Sequence, residues 1–494
     1  MLTAEQIRTF IEADKASPRK QQAQVGNRYY NAQHDILKKR IFFINADGQL
    51  QEDPTKSNIK KPHPFFRENV DQTVQYLMSS DEAIIRSDDP DLQNELDERF
   101  NDNEDFQMEL REMLTGVCAK GFEYAYTYKD AHGRSTFECA DSLGVVEVRK
   151  HETEDNCEYI IYWFVDRIDK DGRQIKKIQV WDEQQVHFFC QIDDGEITED
   201  DSEEINPRPH VVYKSTKEGD GKRYHHGGYG FIPFRRFDNN RSQTSDLAPT
   251  KPLIDDYDLM SCGLANNIED MSEALYVVTG FEGDNLDELM LNIKAKKHVG
   301  VGEGGDVKIE TVNIPVEARK TMMEIDEQNI YRFGMALNLH GLKDTTATTN
   351  IAIKSAYSLL DLKTEKLKPR LKAFLRWQIG LALEEINQEH GTDYTQKDVY
   401  FVFKPEIPTN AEENARIELT EAQKRQTEIN TVLNIAPQFD SDTVLELICE
   451  QLDIDVNEIK DKLPKEEPGT DPAQAQAILQ NLPEEPEGVI TDDE

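Results

Sequence analysis

The sequence predicts an α+β protein, predominantly helical, on three observations. Two long amphipathic helical patterns, at 249–280 and 315–339, flank a short excursion rich in Lys and Gly. Between 122 and 192 the hydrophobic period switches from helical to two, as in FEYAYTY (122–128) and EYIIYWFVDRI (158–168). From 351 to 389 a helical period returns in one long stretch, with a kink expected near Pro369.

Residues 1–120 read as helices. Thr3 is placed to cap a first helix through Ile7, Phe10 and Ile11, and the period continues in 68–78 and again in 91–119. GQLQEDPTKSNIKKPHP (48–64) is punctuated by Pro, Gly and Asn and reads as a loop. The short, closely spaced strands from Phe122 to Ile192 predict an antiparallel, meander-like sheet. Residues 193–230 hold too much charge and Gly to bury and read as an exposed or disordered loop. His225 and His226 lie within it, but no Cys or carboxylate stands beside them at zinc-like spacing. Residues 231–248 read as a short strand and a linker.

The first rod places Leu253, Tyr257, Met260, Leu264, Ile268, Met271, Leu275 and Val278 at steps of three and four, one face of a helix. Its other faces hold Asp255, Asp256, Asp258, Glu269, Asp270 and Glu273, which read as a solvated acidic side. Asp255 and Asp256 project about 100° apart and cannot share one ion from a straight helix. Residues 284–297 predict a short helix, 298–314 a strand, a Gly turn and a strand, and Pro315 opens the second rod. Gly300, Gly302 and Gly305 satisfy G-x-G-x-x-G, but the turn leads into DVKIETVNI, a strand, whereas a dinucleotide fingerprint needs a helix there. HGLKDTTATTN (340–350) breaks the period before the long helix. A strand (399–407), two helices (414–436 and 441–454) and an acidic, Pro-rich tail from Pro464, expected to be disordered, complete the chain.

Composition bounds the function. The 494 residues carry 57 Lys and Arg against 96 Asp and Glu, a net charge of −39, which excludes a conventional DNA-gripping surface built on clustered cations. Six cysteines without a CxxC pair predict a reducing compartment, and no apolar run is long enough to span a membrane, so the chain reads as soluble and intracellular when made. No catalytic, metal or cofactor motif is present, and we expect neither cofactor nor enzyme activity. The abundant acids leave open a metal-dependent nucleic-acid enzyme using acids such as Asp166, Asp169 and Asp171. Local cations stand out against the acidic balance: Lys294, Lys296, Lys297 and His298 between the rods, and Lys354, Lys363, Lys366, Lys368, Arg370, Lys372 and Arg376 on the later helix.

The run SDLAPTKPLIDDYDLMSCGLANNIEDMSEALYVVTGF (245–281) followed by IPVEARKTMMEIDEQNIYRFGMALNL (314–339) resembles the stem region of bacteriophage portal proteins, of the kind found in long-tailed phages of Gram-positive bacteria. RYYNAQHDILKKR (28–40) and the IPF at 232–234 resemble that family too. The resemblance implies a ring, usually of twelve subunits, at one capsid vertex of the virion, through which double-stranded DNA is packaged and ejected; the alternatives to it are the metal-dependent nucleic-acid enzyme above and a capsid adaptor without a channel. The chain would be made in the host bacterial cytoplasm. Its partners would be further copies of itself, the DNA, the terminase motor, a head completion or adaptor protein, and the major capsid and scaffolding proteins, with no membrane.

The resemblance also implies a division of the chain. The wing would span 1–248, the first stem helix 249–280, the clip 281–314 and the second stem helix 315–339, followed by a tunnel loop at 340–350. A long wing helix would occupy 351–398, the crown 399–463 and the tail 464–494. DNA would pass the loop residues His340, Gly341, Leu342, Lys343, Asp344, Thr345, Thr346, Ala347, Thr348 and Thr349. The motor and adaptor would dock on Lys294, Lys296, Lys297, His298, Glu303 and Asp306. Tyr257, Met260, Leu264, Ile268, Met271 and Leu275 would pack between subunits.

Overall fold

A computed structural model describes residues 1–405 apart from 46, 54–55, 81, 131, 152–156, 215–223, 271–274, 280–303, 311–314 and 339–349, together with scattered helical positions between 419 and 434. The chain divides into one compact unit, Met1–Pro408, and a second, Thr409–Glu494.

Thr3 and Gln6 close a reciprocal capping box at the start of α1 (Ala4–Ala16), and Ser17 caps α2 (Pro18–Tyr30), whose first residue is proline. A two-stranded hairpin follows, β1 (Phe42–Ile44) with β2 (Leu50–Glu52), inside a stretch partly read as loop. After α3 (Phe65–Leu77) and the short β3 (Ile85–Arg86), the run 91–119 divides into α4 (Pro90–Leu96), one π turn (Asp97–Asn101) and α5 (Glu104–Lys120). Asn103 causes the division by capping a new helix, its side chain accepting from the Phe106 amide at 3.0 Å. Gly121 ends α5 at φ +93, where a Cβ would meet the Gln243 carbonyl at 2.3 Å, so only glycine fits.

The β region forms two main sheets rather than one. β6 (Val145–Val148), β7 (Tyr159–Ile168), β8 (Gln174–Trp181), β9 (Gln185–Ile192) and β10 (Ile197–Glu199) make the expected antiparallel meander, with β11 (Arg208–Pro209) also paired to β9. β4 (Phe122–Lys129) sits between β5 (Ser135–Ala140) and β14 (Phe234–Asp238) in the second. The period of two sorts the meander's side chains. Ile161, Ile178, Val180 and Phe189 cluster with Ile7 and Ile11 of α1, while Ile160, Trp181, Val186 and Phe188 cluster with Phe122 and Tyr124 of β4. The meander is thus buried on both faces. The stretch 193–230, expected as loop, contributes β10, β11 and a hairpin of β12 (Val211–Lys214) with β13 (Tyr224–Gly227). His225 and His226 take backbone partners in β13, opposite Tyr213 and Val212. The Val-Val-Tyr of β12 favours strand locally despite the charge around it.

The rods are α6 (Lys251–Asp270) and α7 (Val316–Gly334). Gly263 lies against Arg319, and Asp256 opposes Asp326, so the two helices run antiparallel as expected. The first rod does not continue helically to 280. Leu275 and Val278 belong to β15 (Leu275–Thr279), which pairs with β16 (Asp306–Glu310), so Leu275 is not part of a helical packing stripe. Leu-Tyr-Val-Val-Thr is β-branched and aromatic, and local strand preference overrides a spacing that also fits a helix. The strand expected at 306–314 therefore pairs with 275–279, and a strand rather than a helix follows Gly305. α7 ends at Gly334, with Met335 left-handed at φ 54, short of the expected 339.

The long helix α8 (Asn350–His390) runs through Pro369 as one element. Leu367, Leu371, Phe374, Leu375, Ile379, Leu383 and Ile386 form its buried stripe, the spine of the main core with residues of α3, α4 and α5. The Arg99 guanidinium in the π turn ties α8 down, reaching Glu95 at 3.0 Å, Glu385 at 3.0 Å and Glu389 at 2.9 Å. The strand expected at 399–407 is only β17 (Tyr400–Phe401), paired with β3, so the first residues assigned to the crown belong to the first compact unit. The Phe374 ring meets Phe137 edge-on at 5.3 Å and stacks on Phe237 at 5.4 Å. Phe374→Ala is expected to destabilise the fold by roughly 3–5 kcal/mol, read from chemical denaturation followed by circular dichroism.

Candidate functional site

The acids of the first rod are not simply a solvated face. Asp258, Cys262, Asn266 and Asp270 recur every four residues along α6, and the first three are buried. An extended strap, residues 57–63, lies along this row and donates every second backbone amide to it. Ser57 N donates to Asp270 Oδ1 at 2.9 Å, Ile59 N to Asn266 Oδ1 at 2.6 Å, Lys61 N to Cys262 Sγ at 3.1 Å and His63 N to Asp258 Oδ1 at 2.9 Å. Two extended residues advance ~6.6 Å and four helical residues ~6 Å, so strap and helix stay in step over the whole row.

Asp258 sits at the end of this ladder with no exposed surface. Its Oδ2 meets His34 Nδ1 at 2.6 Å and its Oδ1 meets His63 Nδ1 at 2.7 Å. An ionised carboxylate can only accept, so both Nδ1 atoms carry the protons. Burial pushes the Asp258 carboxyl up, but the hydrogen bonds from His34 and His63 outweigh it and hold the group below its ordinary value. The His34 ring stacks on Tyr29 at 4.5 Å, and the His63 ring meets Tyr257 edge-on at 4.8 Å.

Lys251 clamps the N-terminal end of α6, pairing with Asp35 at 2.8 Å and Asp255 at 2.6 Å while Tyr29 donates its hydroxyl to Asp255. On the α7 side the electrostatics reverse. Asp326 is 4% exposed, its Oδ2 has no hydrogen-bond partner among the described residues, and burial first, then the facing Asp256, push its pKa up to about 6.

These contacts sort the residues expected to pack between subunits. Tyr257 is half-buried and makes contacts within its own chain, edge-on to Phe65 at 4.8 Å and packed against the main core. Met260 and Leu264 are half-buried, and Ile268 is exposed. Met271, all ten tunnel-loop residues and Lys294, Lys296, Lys297, His298 and Glu303 lie outside the described residues, while Asp306 opens β16. The acids offered for a nuclease are engaged otherwise. Asp169 and Asp171 bind the Arg173 guanidinium in a hairpin turn at 2.8 and 3.0 Å, and Asp166 pairs with Arg167 at 2.6 Å. Among the described residues no group of three or more His, Cys, Asp or Glu is placed to hold a metal ion, and no helix is long and apolar enough to cross a membrane.

The cluster of His34, His63 and Asp258 escaped sequence reasoning. The signal was the polar row at four-residue spacing on a helix otherwise read from its apolar stripe.

A braced two-helix rod rising from an α+β body defines a scaffold class of protein. The family described as phage portal protein, SPP1 Gp6-like, matches residues 11–458, and the chain belongs to that family. It is similar to the portal protein of Bacillus phage SPP1, 28% identical over 351 residues, covering 71% of this chain and 67% of that protein. It is also similar to the portal protein of Clostridium phage phiCD119, 24% identical over 392 residues, covering 74% and 79% respectively. Among solved structures, a chain from the neck of a native GTA particle computed with C12 symmetry aligns with a TM-score of 0.37 at 11% identity, covering 78% of this chain and 89% of that one. A chain from the neck of an empty GTA particle computed with C6 symmetry aligns with a TM-score of 0.36 at 11% identity, covering 78% and 90%.

Two expectations follow for this site. Asp258→Asn removes the only acceptor that serves both histidines and should cost about 3 kcal/mol at neutral pH, with faster hydrogen exchange at the 57–63 amides. Because the folded-state pKa of Asp258 is depressed, its contribution is present above the unfolded value and fades as pH falls through the folded one, so variant and parent should converge on acidification. Asp326 behaves oppositely. Its raised pKa makes a contribution that is full below the unfolded value of about 4 and lost as pH rises through about 6, so Asp326→Asn should melt higher than the parent at pH 7.5.

Proposed function

We propose that copies of this chain close into a ring at one capsid vertex, with α6 and α7 as the stem around a channel for double-stranded DNA. The single observation that carries this reading is the match to the portal family over residues 11–458. The rod supports it. Leu259, Ile268, Met322 and Ile325 remain 42%, 56%, 42% and 44% exposed after α6 and α7 have packed on each other and on the strap. Apolar side chains repeated along a rod in this way call for a neighbouring surface. Twelve copies is the number that the family resemblance implies.

In that ring the chain's net charge of −39 gives DNA little to hold. Interactions screened over ~10 Å let a duplex slide where clustered cations would stall it. The loop 340–350 faces the duplex in this reading, with Lys343 and the small threonines Thr345, Thr346, Thr348 and Thr349 touching phosphate without reading bases. The segment 281–314 is the docking platform for the packaging motor and the adaptor. Both assignments come from the resemblance and concern residues largely outside those described.

Negative-stain class averages of the purified chain should show annuli with an open axis, and a monodisperse monomer at all concentrations would overturn the reading. Ile268→Asp should abolish annuli while leaving the monomer's melting unchanged, because an unpaired charge buried at a subunit seam costs several kcal/mol. Deleting 343–349 should leave annuli intact and lower the DNA packaged per particle, and unchanged packaging would remove the loop from the mechanism.

A further inference from the structure

Among the described residues, the hairpin of β1 and β2 is exposed along both strands. Phe42 is 48% exposed, Phe43 40%, Ile44 71% and Leu50 69%. Side chains alternate across a strand, so Phe42 and Ile44 share one face with Leu50, while Phe43 lies on the other beside Gln51. Among the described residues the two strands pair only with each other, and a lone two-stranded hairpin is marginal in water. Its tip is nonetheless defined. Gly48 turns at φ +76, and the Asn45 side chain accepts from the amides of Asp47 and Gln49 at 3.1 and 2.8 Å.

Both roots of the hairpin are fastened to the rod. Asp35, before it, is paired to Lys251 at the first residue of α6, and Ser57, after it, is bonded to Asp270 at the last. Across its base, Asn58 Nδ2 donates to the Lys39 carbonyl at 3.1 Å and Lys60 Nζ to the Leu37 carbonyl at 3.0 Å. The hairpin is therefore anchored through both roots to α6.

We propose that this hairpin docks on the exposed face of α6 and α7 in a neighbouring copy of the same chain, an inference that rests on the ring reading above. Three observations select that occupant. The hairpin's apolar side chains match the apolar Leu259, Met322 and Ile325 left open on the rod. Charge adds to the match: Lys38 and Arg40 at the hairpin base, 69% and 65% exposed and paired at 3.7 and 3.8 Å with Asp35 and Glu52 of their own chain, can also face the exposed Glu317 of α7. Finally, donor patch and acceptor patch are different surfaces of one chain. Such a head-to-tail contact closes rings, whereas a patch that meets its own copy makes only dimers. A duplex satisfies the cations but offers no groove-free apolar surface to cover Phe42, Phe43, Ile44 and Leu50.

The test places photoreactive benzoylphenylalanine at position 43 of the full-length chain and irradiates assembled rings. The expected product is a covalent ladder of chain multiples, with peptides from 251–270 or 316–334 joined to position 43. Crosslinks within one chain only, to DNA, or to a different protein in intact particles would overturn the proposal, as would assembled rings that give no crosslink. A second variant, Phe42→Ser with Phe43→Ser and Ile44→Ser, should keep the monomer's circular dichroism and melting and raise the concentration needed for ring formation about tenfold or more, since several apolar side chains lose their cover. An unchanged assembly concentration would count against it. Ring formation by the unmodified chain, followed in parallel, reports on the ring reading alone, so the two ideas fail separately.

Discussion

The rod keeps its place because an extended chain and a helix share a repeat. Asp258, Cys262, Asn266 and Asp270 offer acceptors at four-residue intervals, and the amides of His63, Lys61, Ile59 and Ser57 arrive at two-residue intervals in the opposite direction. The row follows the ridge of the helix surface, inclined about 26° to its axis, so the strap crosses α6 obliquely and grips it along most of its length. Without those acceptors, the strap's alternate amides would sit half-buried without partners, at a cost of about 1–3 kcal/mol each. Because the donors are backbone groups, the residue types at 57–62 matter less than their extended path. At His63 the side chain joins in, and with His34 it makes the burial of Asp258 tolerable.

This interaction also explains what was and was not legible in the sequence. Patterns set by local periodicity came through: the capping box at Thr3, the meander from β6 to β9, the antiparallel rods and the long helix. Where one pattern fits two periods, tertiary pairing decided. Leu275 to Val278 continue a helical stripe on paper and form a strand in the fold, because Asp306 to Glu310 supply a ladder that no local signal reveals. The acids of α6 misled in another way. Charge on a helix usually means solvent, and only contact with a segment some 200 positions away shows that Asp258 faces two histidines. Strap residues carry no periodicity of their own, since their partners lie on α6 and not on a neighbouring strand. The family resemblance, carried by the rods, was legible because those helices are long and ordered.

Charge count and charge placement differ here in a way that bears on the channel. Many cations are spent inside the fold. Lys20 is fully buried between Asp14 and the carbonyls of Ser142 and Val145, Arg99 holds three glutamates, and Arg236 grips Glu147 and Asp238. The acids they hold are themselves largely hidden apart from Glu389, which is 52% exposed. Those lysines and arginines are thereby withdrawn from the surface, where the excess of acids over bases is left less diluted. A chain with the same net charge but with its cations outside would offer phosphate a foothold; this one keeps many of its basic groups for holding helices and sheets together.

Neighbouring acids on α6 are treated in opposite ways, and the difference ranks the rod's two joints. Toward the strap, Asp258 is matched by two histidines and a backbone amide. Toward α7, Asp256 meets and hydrogen-bonds another carboxyl, Asp326, whose Oδ2 is buried without a partner among the described residues, as is the Arg319 Nη1 further along the same seam beside Gly263. Arg319 and Asp326 stand seven residues apart, about two helical turns, too far to satisfy each other directly. The contact between α6 and α7 therefore combines apolar packing with uncompensated groups of both signs, whereas the contact between α6 and the strap is hydrogen-bonded at each step. The C-terminal end of α7 is fastened to the body separately, the Tyr331 hydroxyl donating to Glu68 at 2.8 Å and Ile330 joining the main core.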